Sequence, residues 1–137
     1  MKIYFSPGQD PVLLDSLKGM NTIHDKLQGF LSSPSKSIYI EASQRSGPEP
    51  YDELLAGLEI HRSDGPINLS LAGNRRLHLI GSQDNLSRYF NFFKFREDEQ
   101  DTHHHPEYVR IDNYIAKETM SLIVETDSDY EEREEKN

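Results

Sequence analysis

Ile67-Asn68-Leu69-Ser70-Leu71-Ala72-Gly73-Asn74-Arg75-Arg76-Leu77-His78-Leu79 is the stretch whose reading decides the fold. Ile67, Leu69 and Leu71 alternate with polar or small residues, and so do Leu77 and Leu79, which is the period of two half-buried strands. Gly73-Asn74 between them marks a turn. A two-residue loop at Gly73-Asn74 would set Leu71 against Arg76 and place leucines opposite polar residues. A three-residue loop, Gly73-Asn74-Arg75, sets Leu71 against Leu77 and Leu69 against Leu79, so that one face collects the apolar side chains. The three-residue hairpin, closed by a bulge, is therefore predicted.

The same pattern occurs about one half-length earlier. Ile3-Tyr4-Phe5-Ser6 precedes Ile67-Asn68-Leu69-Ser70 by 64 positions, and Gly57-Leu58-Glu59-Ile60 precedes Ser121-Leu122-Ile123-Val124 by the same 64. Between these ends lie matching helical stripes, Ile23, Leu27 and Phe30 in the first copy and Leu86, Phe90 and Phe93 in the second, offset by 63. Asn21 is the expected N-cap of the first helix with Met20 as a hydrophobic staple, and Ser82 or Asp84 that of the second. Ile38 and Ile40 on a strand from Ser37 to Glu41 would be mirrored by Val109 and Ile111, and Leu58 and Ile60 by Leu122 and Val124. The pattern predicts an α+β protein of two tandem ββαββ-like units, with antiparallel sheet and one helix per unit packed on one face. The expected divisions are 1–64, 65–126 and an acidic C-terminal tail or frayed helix, 127–137. Tyr4, Asn68, His78, Tyr39, Glu41, Arg110, Asp112, Glu59 and His61 would form the outer face of the sheet.

Composition narrows the class. A chain of 137 residues that is 34% hydrophobic, with a mean hydropathy of −0.77, suits one compact domain with a lean core. No apolar run is long enough to span a bilayer and no signal-peptide core follows Met1, so a soluble, cytoplasmic protein is expected. The absence of cysteine removes disulfides, thiolate nucleophiles and cysteine-bound zinc together. With 24 acidic against 15 basic residues the net charge is −9. That field repels phosphate backbones, which argues against nucleic acid as a ligand, including through stacking on exposed sheet tyrosines. It suits solubility, or a basic protein partner.

Chemistry-bearing motifs are few. His103-His104-His105 are consecutive, and neighbours on an extended segment point to opposite faces, so the three do not converge easily on one ion. No Gly-x-Ser-x-Gly elbow and no phosphate-binding glycine loop occur, and nothing in the spacing selects a pair of carboxylates facing each other across a cleft. No catalytic residue, metal site or cofactor is expected. From Ile38 to Val109 the offset grows to 71, which reads as an insertion in the connection from Arg96 to Pro106, where Glu97, Asp98, Glu99 and Asp101 make an acidic loop. Surface insertions of this kind carry partner contacts.

Leu79-Ile80-Gly81-Ser82, Leu86 in the following helix, His104-His105 before the next strand and Ser121-Leu122-Ile123-Val124-Glu125 at the end together resemble immunity protein family 32 of bacterial polymorphic toxin systems. The resemblance covers Leu77 to Glu125. It implies a small cytoplasmic protein that binds and neutralises a cognate toxin domain without catalysis of its own. The expected partner is a basic toxin domain, met by a monomer or weak homodimer. The contact residues proposed from the sequence are Glu97, Asp98, Glu99 and Asp101 in the long loop, with Tyr108, Arg110 and Asp112 on the sheet. The rival readings are a metal-dependent enzyme using the His103–His105 loop and an interaction module for some other protein.

Overall fold

The structure, a computed structural model, describes residues 1–135. Nine strands and three helices among them make an α+β fold: β1 (Lys2–Phe5), β2 (Val12–Asp15), α1 (Leu17–Leu31), β3 (Ser37–Glu41), β4 (Glu53–Leu54), β5 (Gly57–Arg62), β6 (Asn68–Ala72), β7 (Arg76–Gly81), α2 (Gln83–Phe90), β8 (His103–His104), β9 (Ile123–Thr126) and α3 (Tyr130–Glu135). One sheet has the order β4-β1-β2-β9-β8 and the other β3-β5-β7-β6. In each, a single parallel pair, β2–β9 or β5–β7, is flanked by antiparallel neighbours.

The β6–β7 hairpin forms as its leucines require. Leu71 pairs with Leu77 and Leu69 with Leu79 across the three-residue loop, and Arg75 adopts the left-handed conformation that such a loop needs at its last position. The β1–β2 hairpin carries the same spacing, with Ile3 opposite Leu13. Matching Ile3 to Leu69 and Leu13 to Leu79 gives an offset of 66, and the helix caps agree: Ser16 Oγ accepts from Gly19 N and Ser82 Oγ from Asn85 N. The buried residues Met20, Ile23 and Leu27 then fall on Leu86, Tyr89 and Phe93, again at 66. The offsets of 64 and 63 taken from hydrophobic pattern alone are therefore out of step through the first hairpin and helix. Ladder partners and caps fix the correspondence, and apolar runs alone do not.

The two halves exchange their closing strands. β3 and β5 join β6 and β7 in one sheet, while β8 and β9 join β1 and β2 in the other. A cut near Gly65 consequently passes through both sheets. Their inner faces and the buried sides of α1 and α2 share one core, containing Ile3, Leu13 and Val124, then Leu58, Ile60, Leu69 and Leu79, then Met20, Leu27, Leu86 and Phe93.

Several expectations need correction. α1 starts at Leu17 behind Ser16, not behind Asn21, whose side-chain amide instead exchanges two hydrogen bonds with the backbone of Phe95. Met20 is accordingly a core residue of the first turns. Leu54 pairs with Tyr4, and the chain crosses between the two sheets at Leu55-Ala56 before β5 begins in the other sheet.

Val109 and Ile111 lie in no strand, because the edge of β9 is taken by His103 and His104. Ile38 pairs with Ile60 and His104 with Val124, so the true counterpart of Ile38 is His104, at the same offset of 66. No insertion precedes that strand. The 105–122 connection instead covers the edge of β6, with Ile67 N donating to Tyr114 O, Ala116 N to Ile67 O and Met120 N to Leu69 O. That closes a sheet edge that would otherwise present unpaired backbone groups.

Finally, of the tail or frayed helix expected from residue 127 onward, the structure has a helix, Tyr130–Glu135, and it is docked on the first sheet and not loose in solvent. Tyr130, at 6% exposure, closes a second apolar cluster with Tyr4, Val12, Leu14 and Leu54 on the outer face of the first sheet. Lys2 Nζ meets Glu134 Oε1 at 2.9 Å. Tyr4, expected to face water, is buried there against Tyr51 at 4.9 Å between ring centroids. One tyrosine thus supplies the apolar area that the acidic run around it lacks. Residues 136 and 137 of the expected tail lie outside the described residues.

The equivalence of the two caps is testable. Ser16→Ala and Ser82→Ala should each lower stability by about 1 kcal/mol in urea unfolding. An unchanged midpoint for either would show that its helix start is held by packing alone.

Candidate functional site

The acidic loop after α2 is an ordered turn. Arg96 Nε lies 3.0 Å from Asp98 Oδ1, and Arg96 N donates to Glu99 Oε1 at 2.9 Å. Glu99 Oε2 is 3.0 Å from His104 Nε2, whose other ring nitrogen faces Phe92 O at 2.8 Å. The backbone donor of Arg96 and then the His104 ring hold the Glu99 carboxyl below the usual range. His104 stacks on Phe95 at 4.1 Å and has both nitrogens engaged by acceptors. The middle histidine of the run is therefore committed to holding this loop, and the run presents no convergent ligand set.

Asp101, at a positive φ of 58°, accepts from Ser128 N at 2.8 Å and from Ser128 Oγ at 2.9 Å. Those two donors keep its carboxyl low as well. Glu99 O accepts from Thr126 Oγ1 at 2.8 Å. The loop is in this way bonded to the segment leading into α3. Residues 96–101 and 127–134 together carry nine carboxylates and two guanidiniums, a local −7 within a whole-chain −9. Glu97, Asp98, Asp129, Glu131 and Glu132 are exposed there. Of the loop residues named from the sequence, Glu97 and Asp98 face solvent, while Glu99 and Asp101 use their carboxylates internally. The contribution of the C-terminal segment was not legible beforehand, although a lone Tyr130 amid carboxylates is the signal that could have revealed it.

Tyr108, Arg110 and Asp112 are exposed, but on the 105–122 connection and not on a sheet. Tyr108 is 69% exposed and stacks on the His105 ring at 4.7 Å. Among the described residues, no hydrogen bond or ion pair ties these three to the acidic loop. The seven named residues thus divide between the acidic turn and the 105–122 connection.

Beneath this connection sits a buried carboxylate. Glu107 Oε1 accepts from Leu122 N at 2.8 Å, while Oε2 has no hydrogen-bond partner and lies 3.9 Å from His105 Nδ1. Burial pushes the Glu107 carboxyl above its usual range; the Leu122 donor and His105 oppose this, and the Asp10 charge adds to it. The folded state therefore holds the Glu107 proton more tightly than the unfolded chain does. Its contribution is fully present below the ordinary glutamate pKa and is lost as pH rises through the folded value. Glu107→Gln keeps the Leu122 bond without the charge, so it should be more stable than the parent at neutral pH. At about pH 4 and below, near the ordinary glutamate pKa, the difference should vanish. Urea unfolding across pH checks this, and a difference constant with pH contradicts it.

The outer face of the second sheet is different again. Tyr39, Glu59 and His78 lie side by side across β3, β5 and β7, as the ladders require. Arg76 stacks over the Tyr39 ring at 4.1 Å and places Nη1 3.3 Å from Glu59 Oε1. His61, two residues along β5 from Glu59, completes a partly exposed polar group. Among the described residues, Glu59, His61 and His78 are the set of three side chains placed to share an ion. The sequence put them on one outer face, but their adjacency depends on the parallel β5–β7 pairing, which strand pattern does not reveal.

No protein-family model, curated protein or solved structure matches the chain. Among the described residues no helix is long and apolar enough to cross a membrane.

Proposed function

We propose that this protein is a non-catalytic binding protein that neutralises a basic toxin domain in the cytoplasm, acting as an immunity protein. The observation that carries the reading is the gathering of charge. Two acidic segments distant in sequence are bonded together by Asp101 and Ser128 into one ordered patch holding −7 of the chain's −9. A toxin domain that grips phosphate must be basic, and a preorganised acidic patch offers it both steering and complementary contact. Internal hydrogen bonds matter here, because a patch already ordered loses little conformational freedom on binding.

The test is direct. The purified chain is mixed with the toxin domain encoded by the neighbouring reading frame and followed by size exclusion and a toxin activity assay. A one-to-one complex that silences the toxin and weakens with added salt supports the proposal. If no neighbouring frame encodes a toxin and no basic protein is bound, the immunity reading is lost.

A further inference from the structure

The exposed face of the second sheet holds a group of ligating side chains that the partner-binding reading does not use. Glu59 and His61 are two residues apart on β5 and so project from the same face. The parallel ladder sets His78 of β7 beside Glu59. One ligating atom from each of the three lies within 4.8 Å of the others. Glu59 Oε2 is 3.5 Å from His61 Nε2, and the two imidazole centroids are 5.0 Å apart.

We infer that Glu59, His61 and His78 form a binding site for a zinc-class divalent cation. Two imidazoles and one carboxylate are a donor set suited to zinc and its late transition-metal neighbours. Tetrahedral ligation at the usual bond lengths needs ligand atoms about 3.3 Å apart, so the side chains must close by up to roughly 1.5 Å. Side chains that are 42% exposed at His61 and 30% at Glu59 have room for that adjustment. Arg76 holds Glu59 by Oε1, which leaves Oε2 turned toward the histidines. Its charge lowers affinity for the ion, while its stacking on Tyr39 keeps it to one side. Three protein ligands leave a fourth position open to water or to a group from another molecule.

The other half of the molecule shows what these positions do without ligands. Under the ladder correspondence, His78 matches Val12 and Glu59 matches Ile123. Val12 and Ile123 belong to the apolar cluster that Tyr130 covers. These two places in the architecture are apolar and covered on one sheet, and carry imidazole and carboxylate open to solvent on the other; the third, His61, matches the partly exposed Glu125.

The experiment is calorimetric titration of zinc chloride into the full chain at neutral pH, repeated with cobalt chloride while visible absorption is recorded. One ion per chain is expected, with visible bands of four-coordinate cobalt. His61→Ala, His78→Ala and Glu59→Gln should each weaken binding by on the order of tenfold or more, since even loss of an outer partner of a ligand costs that much. His103→Ala/His105→Ala should leave binding unchanged. All these side chains are at least partly exposed, and a thermal melt of each variant reports its fold separately. The inference is overturned if the parent chain shows no saturable binding. It is equally overturned if binding survives His61→Ala/His78→Ala and disappears in His103→Ala/His105→Ala. Toxin binding enters none of these readouts, so they stand apart from the immunity proposal.

Discussion

Tyr130→Ala should lower the unfolding free energy by about 3 kcal/mol or more, the range for truncating a buried aromatic side chain. The tyrosine is 6% exposed and closes the cluster formed by Tyr4, Val12, Leu14 and Leu54. Its loss opens the outer face of the first sheet to water and loosens the helix that carries Glu134. Lys2, at 4% side-chain exposure, then has its carboxylate partner on an undocked segment, and a buried ammonium without a partner adds its own cost. Tyr130→Phe should keep most of the stability, because burial dominates the contribution of this ring. Urea unfolding of the three proteins decides the point. A Tyr130→Ala midpoint equal to the parent would mean that α3 rests on the sheet without stabilising it.

Reversing charge at the acidic patch should slow association with the toxin domain by about 10- to 1,000-fold at low salt, the range over which steering acts. The triple variant Glu97→Lys/Asp98→Lys/Asp129→Lys draws on both segments of the patch and moves the net charge from −9 to −3. Asp25→Lys/Glu41→Lys/Glu118→Lys makes the same change in net charge at exposed sites in other elements. Stopped-flow association rates should separate the two variants, and the gap should narrow as salt screens the field. Equal slowing by both would assign the effect to net charge and remove the patch from the proposal.

The parts of this fold that could be read from sequence are those in which one local rule decides the answer. The β6–β7 register follows from keeping four leucines on one face, and the start of α2 was narrowed to Ser82 or Asp84, of which Ser82 takes the cap by accepting from Asn85 N. Asn21 misled for an instructive reason: it is a good capping residue, yet five residues earlier Ser16 is equally good, and the strand β2 ends there. The likeness of the two halves was visible but misaligned, by two residues in the first hairpin and three in the helix, since apolar runs tolerate a slip that ladder partners do not. Val109 and Ile111 alternate like a strand, but a strand needs a free edge, and β9 gives its edge to His103 and His104.

The candidate sites show the same division. Glu97 and Asp98 were legible as exposed acid, whereas the bond from Asp101 to Ser128 that merges two segments is a tertiary fact. Glu59, His61 and His78 were placed on one face by alternation alone. Only the order of strands in the sheet makes them neighbours.

The exchange of closing strands between the halves has a kinetic consequence. Val12 pairs with Ile123, a partner made 111 residues later, so the centre of the first sheet waits on chain synthesised long after its hairpin. The second sheet draws only on residues 37–81 and closes much shorter loops. Because loop closure must precede the contacts that reward it, the second sheet should form first in refolding and the first sheet should set the rate. On the ribosome, β1 and β2 would emerge as a hairpin with one edge unpaired until β9 arrives, which makes that edge the stretch most in need of a chaperone.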